Sequence, residues 1–203
     1  MIQQHIGAVS PPASNSRTDL PGSLLQSLQA VQAVILDVDG VLTDGGIYYD
    51  PTGREIKRFH VADGLGIELL RHAGLRVAIL SGRVSEALTR RAAELKVAEC
   101  YQGVRDKKAQ IEKLRQQWQL KAEELLYVGD DLNDLPAFEA VGVRVAVANA
   151  VPEIKERAHY ITQATGGNGA IREVCEWLLK ARGEWEQTIE KYLQSRREGG
   201  STS

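Results

Sequence analysis

A three-layer α/β/α domain on a mainly parallel sheet is what this sequence predicts, and three observations predict it. Short continuous apolar runs, Ala33-Val34-Ile35-Leu36 among them, alternate with helical stretches along most of the chain; such alternation marks a parallel sheet covered on both faces. Several of these runs end in clusters of polar residues, which puts chemistry at the carboxyl ends of strands, where open α/β sheets bind ligands. A length of 203 residues suits one such domain with extensions and is too short for two of ordinary size.

Residues 1–22 are rich in Ser, Pro, Asn and Gln and lack any period, so they are expected to form a disordered N-terminal extension. The spacing of Leu24, Leu25, Leu28 and Val31 predicts a leading helix over 23–32. After the strand 33–36, Ile47–Tyr49 and Glu55–Val61 flank Asp50-Pro51-Thr52-Gly53, the signature of a β-hairpin flap over 47–61. A helix over Leu65–Ala73 stops at Gly74, and a buried strand follows over Arg76–Leu80. Next come a helix over Ser85–Leu95, a short strand near Cys100 and Tyr101, and a helix over Lys107–Trp118. Leu125–Val128 reads as a strand, Leu132–Ala140 as a helix, and Val143–Val147 as a strand. Pro152–Ala158 reads as a helix, His159–Ile161 as a short strand, and Ala170 to about Ala181 as the closing helix of a domain spanning 23–182. Residues 183–203 are a C-terminal helix, running to Tyr192, and a polar tail.

The composition excludes several classes. A net charge of −2 with 26% charged residues leaves no basic excess for nucleic acid. Cys100 and Cys175 are far apart and have no CxxC or His spacing, so both read as small core residues of a reducing compartment. No apolar run approaches the roughly 20 residues of a membrane span, and no secretory signal opens the chain. The expected location is the cytoplasm, with neither membrane nor nucleic acid as partner.

Two strand ends carry acids. Asp37-Val38-Asp39-Gly40 follows the first strand, and Gly129-Asp130-Asp131-Leu132-Asn133-Asp134 follows the strand ending at Val128. Gathering carboxylates at a buried strand end is unfavourable unless a cation holds them. A turn would account for the first pair alone, and helix capping for one acid of the second cluster. Neither accounts for two such clusters. Between them lie Ser81-Gly82-Arg83, after the strand ending at Leu80, and Lys107 at a helix start. Singly, Ser81 reads as a cap and Lys107 as a solvated lysine. Together the four segments supply a nucleophile, metal-binding acids, a hydroxyl and a cation, the parts that phosphoryl transfer requires.

In that order, over about Val31 to Trp177, the sequence resembles the haloacid-dehalogenase superfamily through DVDGVLTDG, the Ser of LSGR, Lys107 and GDDLND. Within it, the sequence looks most like the 3-deoxy-D-manno-octulosonate 8-phosphate (KDO 8-phosphate) phosphatases, through IYYDPTGREIKRFHVADGLGI, SGR, YQGV-DK, GDDLNDLP and GGNGAIREVCEWLL. The resemblance implies a Rossmann-like fold with no cap domain, the hairpin serving as flap. It implies a nucleophile at Asp37, an acid and base at Asp39, and Mg²⁺ held by Asp37, the Asp39 carbonyl and Asp130. Ser81 and Lys107 would hold the phosphoryl oxygens, with Gly82, Asp131 and Asp134 in support. His60, Val61, Ala62, Asp63, Gly64, Arg83 and Arg91 would line the sugar-acid site together with Asp39 and Lys107, a guanidinium suiting a carboxylate; a solvated helix face is the other reading of Arg91.

The implied assembly is a homotetramer in which neighbouring subunits complete the cap; a monomer with an open site is the alternative. The implied role is in lipopolysaccharide precursor synthesis. Ala62 stands where the family often has an arginine, and Glu68 replaces a cation. These departures leave a nine-carbon sugar-acid 9-phosphate as the alternative substrate. A catalytically silent binding or regulatory subunit is the alternative from another class, and the intact Asp37 and Asp39 argue against it.

Overall fold

The computed structural model describes residues 21–199. Most of the expected N-terminal extension, residues 1–20, and the end of the tail, 200–203, lie outside the described residues.

The elements follow one another as α1 (Gly22–Ala30), β1 (Ala33–Leu36), β2 (Tyr48–Tyr49), β3 (Glu55–Ile56), α2 (Val61–His72), β4 (Arg76–Leu80), α3 (Glu86–Glu94) and β5 (Glu99–Tyr101). Then come α4 (Lys107–Trp118), β6 (Leu125–Gly129), α5 (Leu135–Phe138), β7 (Val143–Ala146), α6 (Pro152–Lys155), β8 (Tyr160–Ile161), α7 (Ala170–Arg182) and α8 (Trp185–Gly199). Six strands form one sheet in the order β5-β4-β1-β6-β7-β8, and every pairing in it is parallel. β2 and β3 form a separate antiparallel hairpin.

The burial of β1 explains its central place. All four of its side chains are fully buried, as an unbroken apolar run requires in a strand covered on both faces. Each large apolar side chain removed from water there contributes about 1.5–3 kcal/mol. The chain winds outward from β1 to β4 and β5, then returns to β1's other edge with β6. That reversal opens a crevice at the carboxyl ends of β1, β4 and β6.

β3 ends at Ile56 rather than Val61 and α6 at Lys155 rather than Ala158; three further elements differ from the sequence-based expectation, each for a local reason. Helix α2 begins at Val61 rather than Leu65. Val61 is 84% exposed, and the buried positions of the first turn are Asp63 and Gly64, so the turn shows no apolar period. The stretch 132–140 splits into a 3₁₀ turn (Leu132–Asp134) and the short α5; the Asp134 side chain turns back onto the N–H groups of Asp130 and Asp131, and Pro136 opens a new helix. Helix α8 runs to Gly199, past the expected Tyr192, with the Trp185 ring beneath Arg172 and Lys180 at 5.6 and 5.4 Å and Thr188 buried.

Candidate active site

Asp37 follows β1 directly, and its N–H donates to the Val128 carbonyl of β6, 3.1 Å. The first carboxylate is thereby fixed at the seam between two strands. Asp130 follows β6 and Ser81 follows β4; Ser81 is 1% exposed, and its hydroxyl accepts the N–H of Arg83 at 3.1 Å. Gly82 lies on the exposed side of that turn. From α4, whose first turn Asp106 caps through the Ala109 N–H, Lys107 reaches inward. Its Nζ lies 2.6 Å from Asp37 Oδ1 and 2.6 Å from Asp134 Oδ1.

Asp134 is saturated. Its Oδ1 also accepts the Tyr127 hydroxyl at 2.6 Å, while Oδ2 takes the N–H groups of Asp130 and Asp131 at 2.8 and 3.4 Å. It anchors the lysine and the turn, leaving Asp37 and Asp130 as the carboxylates free to bind something. Asp131 is exposed and accepts the Leu132 N–H at 2.7 Å. Tyr127, fully buried in β6, carries no sequence signal beyond its place in an apolar run.

Oxygens of Asp37, Asp130 and Asp134 come within 4.8 Å of one another. Three carboxylates against one ammonium leave an excess of negative charge that a divalent cation would cancel. Burial pushes the Asp37 carboxyl up to about 7, with the Asp134 charge adding to it and Lys107 opposing. Burial pushes Asp130 to about 8, reinforced by Asp37, Asp134 and Asp131. Oxygen-only donors with a saturated outer partner suit a hard cation such as Mg²⁺.

A stability test follows from those two acids. Their folded-state values lie above the ordinary 3.8, so the folded chain binds more protons between about 4 and 8. The chelator-treated protein should therefore lose stability as pH rises through that window. Mg²⁺ should raise Tm at pH 8 more than at pH 6, and a hundredfold excess over its dissociation constant should add roughly 2.7 kcal/mol of stability at pH 8. Differential scanning calorimetry with and without the ion checks this; a Tm gain independent of pH would contradict it.

The loop after Asp37 is clasped from the far end of the chain. The Asn149 amide donates to the Gly40 carbonyl at 3.1 Å and accepts the Gly166 N–H at 2.7 Å. A Cβ at Gly166 would stand 1.7 Å from the Gly40 carbonyl oxygen, and one at Gly40, where φ is +91°, would stand 2.0 Å from Asp130 Oδ2. Glycine is needed on both sides of this contact.

The hairpin closes over the second acid. Asp39 ion-pairs with Lys57, and Arg83 pairs with Glu55 at 2.6 Å, its Nε 4.0 Å from Asp39 Oδ2. Arg58 donates to the Gly167 carbonyl and the Asn168 side chain, tying the flap to the glycine loop. The sequence pattern singled out none of Lys57, Glu55, Arg58, Tyr127 or Asn149; Tyr127 meets Asp134 seven residues on, and the others act through partners farther along the chain.

The remaining candidates lie around the start of α2. His60 is its N-cap residue, with a buried Nδ1 that finds no partner among the described residues. Val61 is exposed and Ala62 half-buried. Asp63 is 1% exposed, its carboxylate accepting the N–H groups of Gly169 and Arg172 at the start of α7. Within this chain its side chain therefore caps a helix and does not face an open site. Arg91 packs over the Phe59 ring at 5.9 Å, pairs with Glu94 at 3.0 Å and lies against Gly64.

Comparison with known proteins agrees with this geometry. A family model described as haloacid dehalogenase-like hydrolase matches residues 97–174. The chain is 43% identical over 172 residues to the 3-deoxy-D-manno-octulosonate 8-phosphate phosphatase of Haemophilus influenzae, covering 84% of this chain and 96% of that one. It is 42% identical to the enzyme of the same name from Escherichia coli K12, covering 81% and 87%. Among solved structures, the Moraxella catarrhalis phosphatase of that name, in complex with magnesium, phosphate and KDO, superposes with a TM-score of 0.81 at 38% identity, covering 85% and 99%.

Proposed function

The chain belongs to the haloacid dehalogenase-like hydrolases, and from that premise we propose that it is the magnesium-dependent phosphatase of KDO 8-phosphate, releasing KDO and inorganic phosphate. The observation that carries the reading is the meeting of Asp37, Asp130 and Lys107 at neighbouring strand ends. Catalysis is assigned to residues 23–182, with 47–61 as flap.

The Asp37 carboxylate, the Asp39 carbonyl and Asp130 would hold Mg²⁺, which would supply the positive charge that an anionic nucleophile needs beside a phosphate dianion. Asp37 attacks phosphorus; its O–P bond forms as the bond from phosphorus to the sugar oxygen breaks, and Asp39 gives that oxygen a proton. In the second step Asp39 takes a proton from water, the water oxygen bonds phosphorus, and the bond from phosphorus to the Asp37 oxygen breaks, which releases phosphate and restores the carboxylate. Ser81 and Lys107 hold the phosphoryl oxygens, while Asp134, Asp131 and Gly82 keep lysine and loops in place. Lys107 stays charged for this: burial opposes its ammonium, but Asp37 and Asp134 outweigh it and raise its pKa. The flap side, with Arg83, Arg91, His60, Val61, Ala62, Asp63 and Gly64, is assigned to the sugar acid, Asp63 through its positioning of α7.

Glu68, one of the two departures from the family pattern, pairs with Arg196 of α8 at 3.2 Å, which accounts for it without a change of substrate. The test is phosphate release with Mg²⁺ from KDO 8-phosphate and from nonulosonate 9-phosphates. We expect the eight-carbon substrate to be preferred by at least about tenfold in kcat/KM; a preference for nine carbons would replace the assignment.

A homotetramer in the cytoplasm, serving lipopolysaccharide precursor synthesis, completes the proposal. Ile47, Tyr48, Tyr49 and Ile56 of the hairpin are 57, 45, 64 and 50% exposed, and a two-stranded hairpin is marginal in water without further packing. Both cysteines are free, and among the described residues no helix is long and apolar enough to cross a membrane. Sedimentation velocity should find a species four times the 22.3 kDa chain, and Ile56→Asp should shift it toward smaller species. A wild-type monomer would overturn the assembly.

A further inference from the structure

We propose that Lys57 is a positioning residue that fixes the carboxyl group of Asp39 and couples it to the flap; the proposal rests on the reading of Asp39 as acid and base. Lys57 directly follows β3, on a hairpin whose apolar residues face solvent, yet its side chain is only 3% exposed. An ammonium is withdrawn from water at a penalty of several kcal/mol unless well paired, so the pairing explains its position. Nζ binds Asp39 Oδ1 and stands 3.7 Å from Glu55 Oε2. Among the described residues, Lys57 is the one hydrogen-bond donor to the Asp39 side chain.

The arrangement is a closed ring. Arg83 reaches the other oxygen of each acid, 2.6 Å from Glu55 Oε1 and 4.0 Å from Asp39 Oδ2. Two acids and two cations alternate, the flap supplying Glu55 and Lys57, the strand-end loops supplying Asp39 and Arg83. Glu55 Oε2 is buried and accepts no hydrogen bond. It is a second seat for the ammonium, within a small side-chain movement of the first. Substrate entering under the flap moves Glu55 and Lys57 together, so the direction of the Asp39 carboxyl depends on flap position.

The test separates reactions that need Asp39 as an acid from those that do not. A sugar alkoxide leaves only with a proton, whereas p-nitrophenolate leaves without one, and kcat/KM reports formation of the phosphoenzyme for both. In the full chain with Mg²⁺, Lys57→Met should lower the ratio of kcat/KM for KDO 8-phosphate to that for p-nitrophenyl phosphate by at least about tenfold, general acid catalysis being worth about 10²–10⁴. Lys57→Arg should recover that ratio to within about threefold. Lys57→Gln carries the same comparison if the Met variant does not fold. An unchanged or raised ratio overturns the proposal, whatever the absolute losses, and so does an equal fall in Lys57→Arg. Failure of the underlying reading is distinct, since Asp39→Asn would then leave that ratio at the wild-type value.

Discussion

Asp37→Asn is expected to reduce turnover of KDO 8-phosphate by at least about 3 orders of magnitude, as removal of a covalent nucleophile does, while leaving the protein folded. Asparagine is nearly isosteric, and its carbonyl oxygen can still accept the Lys107 ammonium, which lies 2.6 Å from Asp37 Oδ1. What disappears is the charge, and with it the attack on phosphorus. The same change relieves a burden on the fold, because burial and Asp134 hold the native carboxyl up near 7. Tm in the absence of metal should therefore equal or exceed that of wild type at pH 8, the expected exchange where an active centre stores unfavourable charge. Phosphate release and calorimetry on one preparation check both halves. Residual activity above about a tenth of wild type would be incompatible with catalysis through this carboxylate.

Lys107→Met should act on stability and activity together. The side chain is 2% exposed and is held by two carboxylates at 2.6 Å. Methionine fills much of its volume, so the loss reports charge rather than a cavity. Removing one partner from a buried ion pair costs about 3–5 kcal/mol. The lower end applies here, because Asp134 keeps Tyr127 and two backbone N–H groups. The sign of the pH dependence follows from the acids left behind. Carboxyls raised above their unfolded values weaken the fold fully at high pH and not at all once both states are protonated. The deficit in urea denaturation should thus shrink as pH falls from about 7 toward about 4. Turnover should fall at least about a hundredfold, because the cation facing nucleophile and phosphate is gone. A variant that loses activity at unchanged stability would show that the ion pair is not a structural support.

The central strand and the four motif segments were legible for one reason: they are local. Ala33–Leu36 is an unbroken apolar run, and each motif segment either follows such a run directly or opens a helical stretch. What stayed hidden depends on side chains that meet only in the folded chain, several of them from distant segments. Lys57 looks like any cation of a hairpin until the flap folds back over Asp39. Tyr127 is one more apolar position in β6 until Asp134 turns to meet its hydroxyl. Asp63 sits in a segment that matches a sugar-lining motif, yet its carboxylate caps a helix whose start lies more than a hundred residues later. The helical start of α2 escaped because the buried positions of its first turn are Asp63 and Gly64, which add nothing to an apolar period. The split at Leu132–Phe138 escaped because a side chain, not the backbone pattern, ends the first turn.

The clasp of Asn149 and Gly166 over the Gly40 carbonyl sets an order of events at the ribosome. Asp37 is the earliest of the catalytic groups to be translated, but the strand beside it and the residues that close its loop emerge only more than 85 and 110 positions later. A nascent chain halted before that point carries the nucleophile without its housing, so phosphatase action begins only once nearly the whole domain has been made.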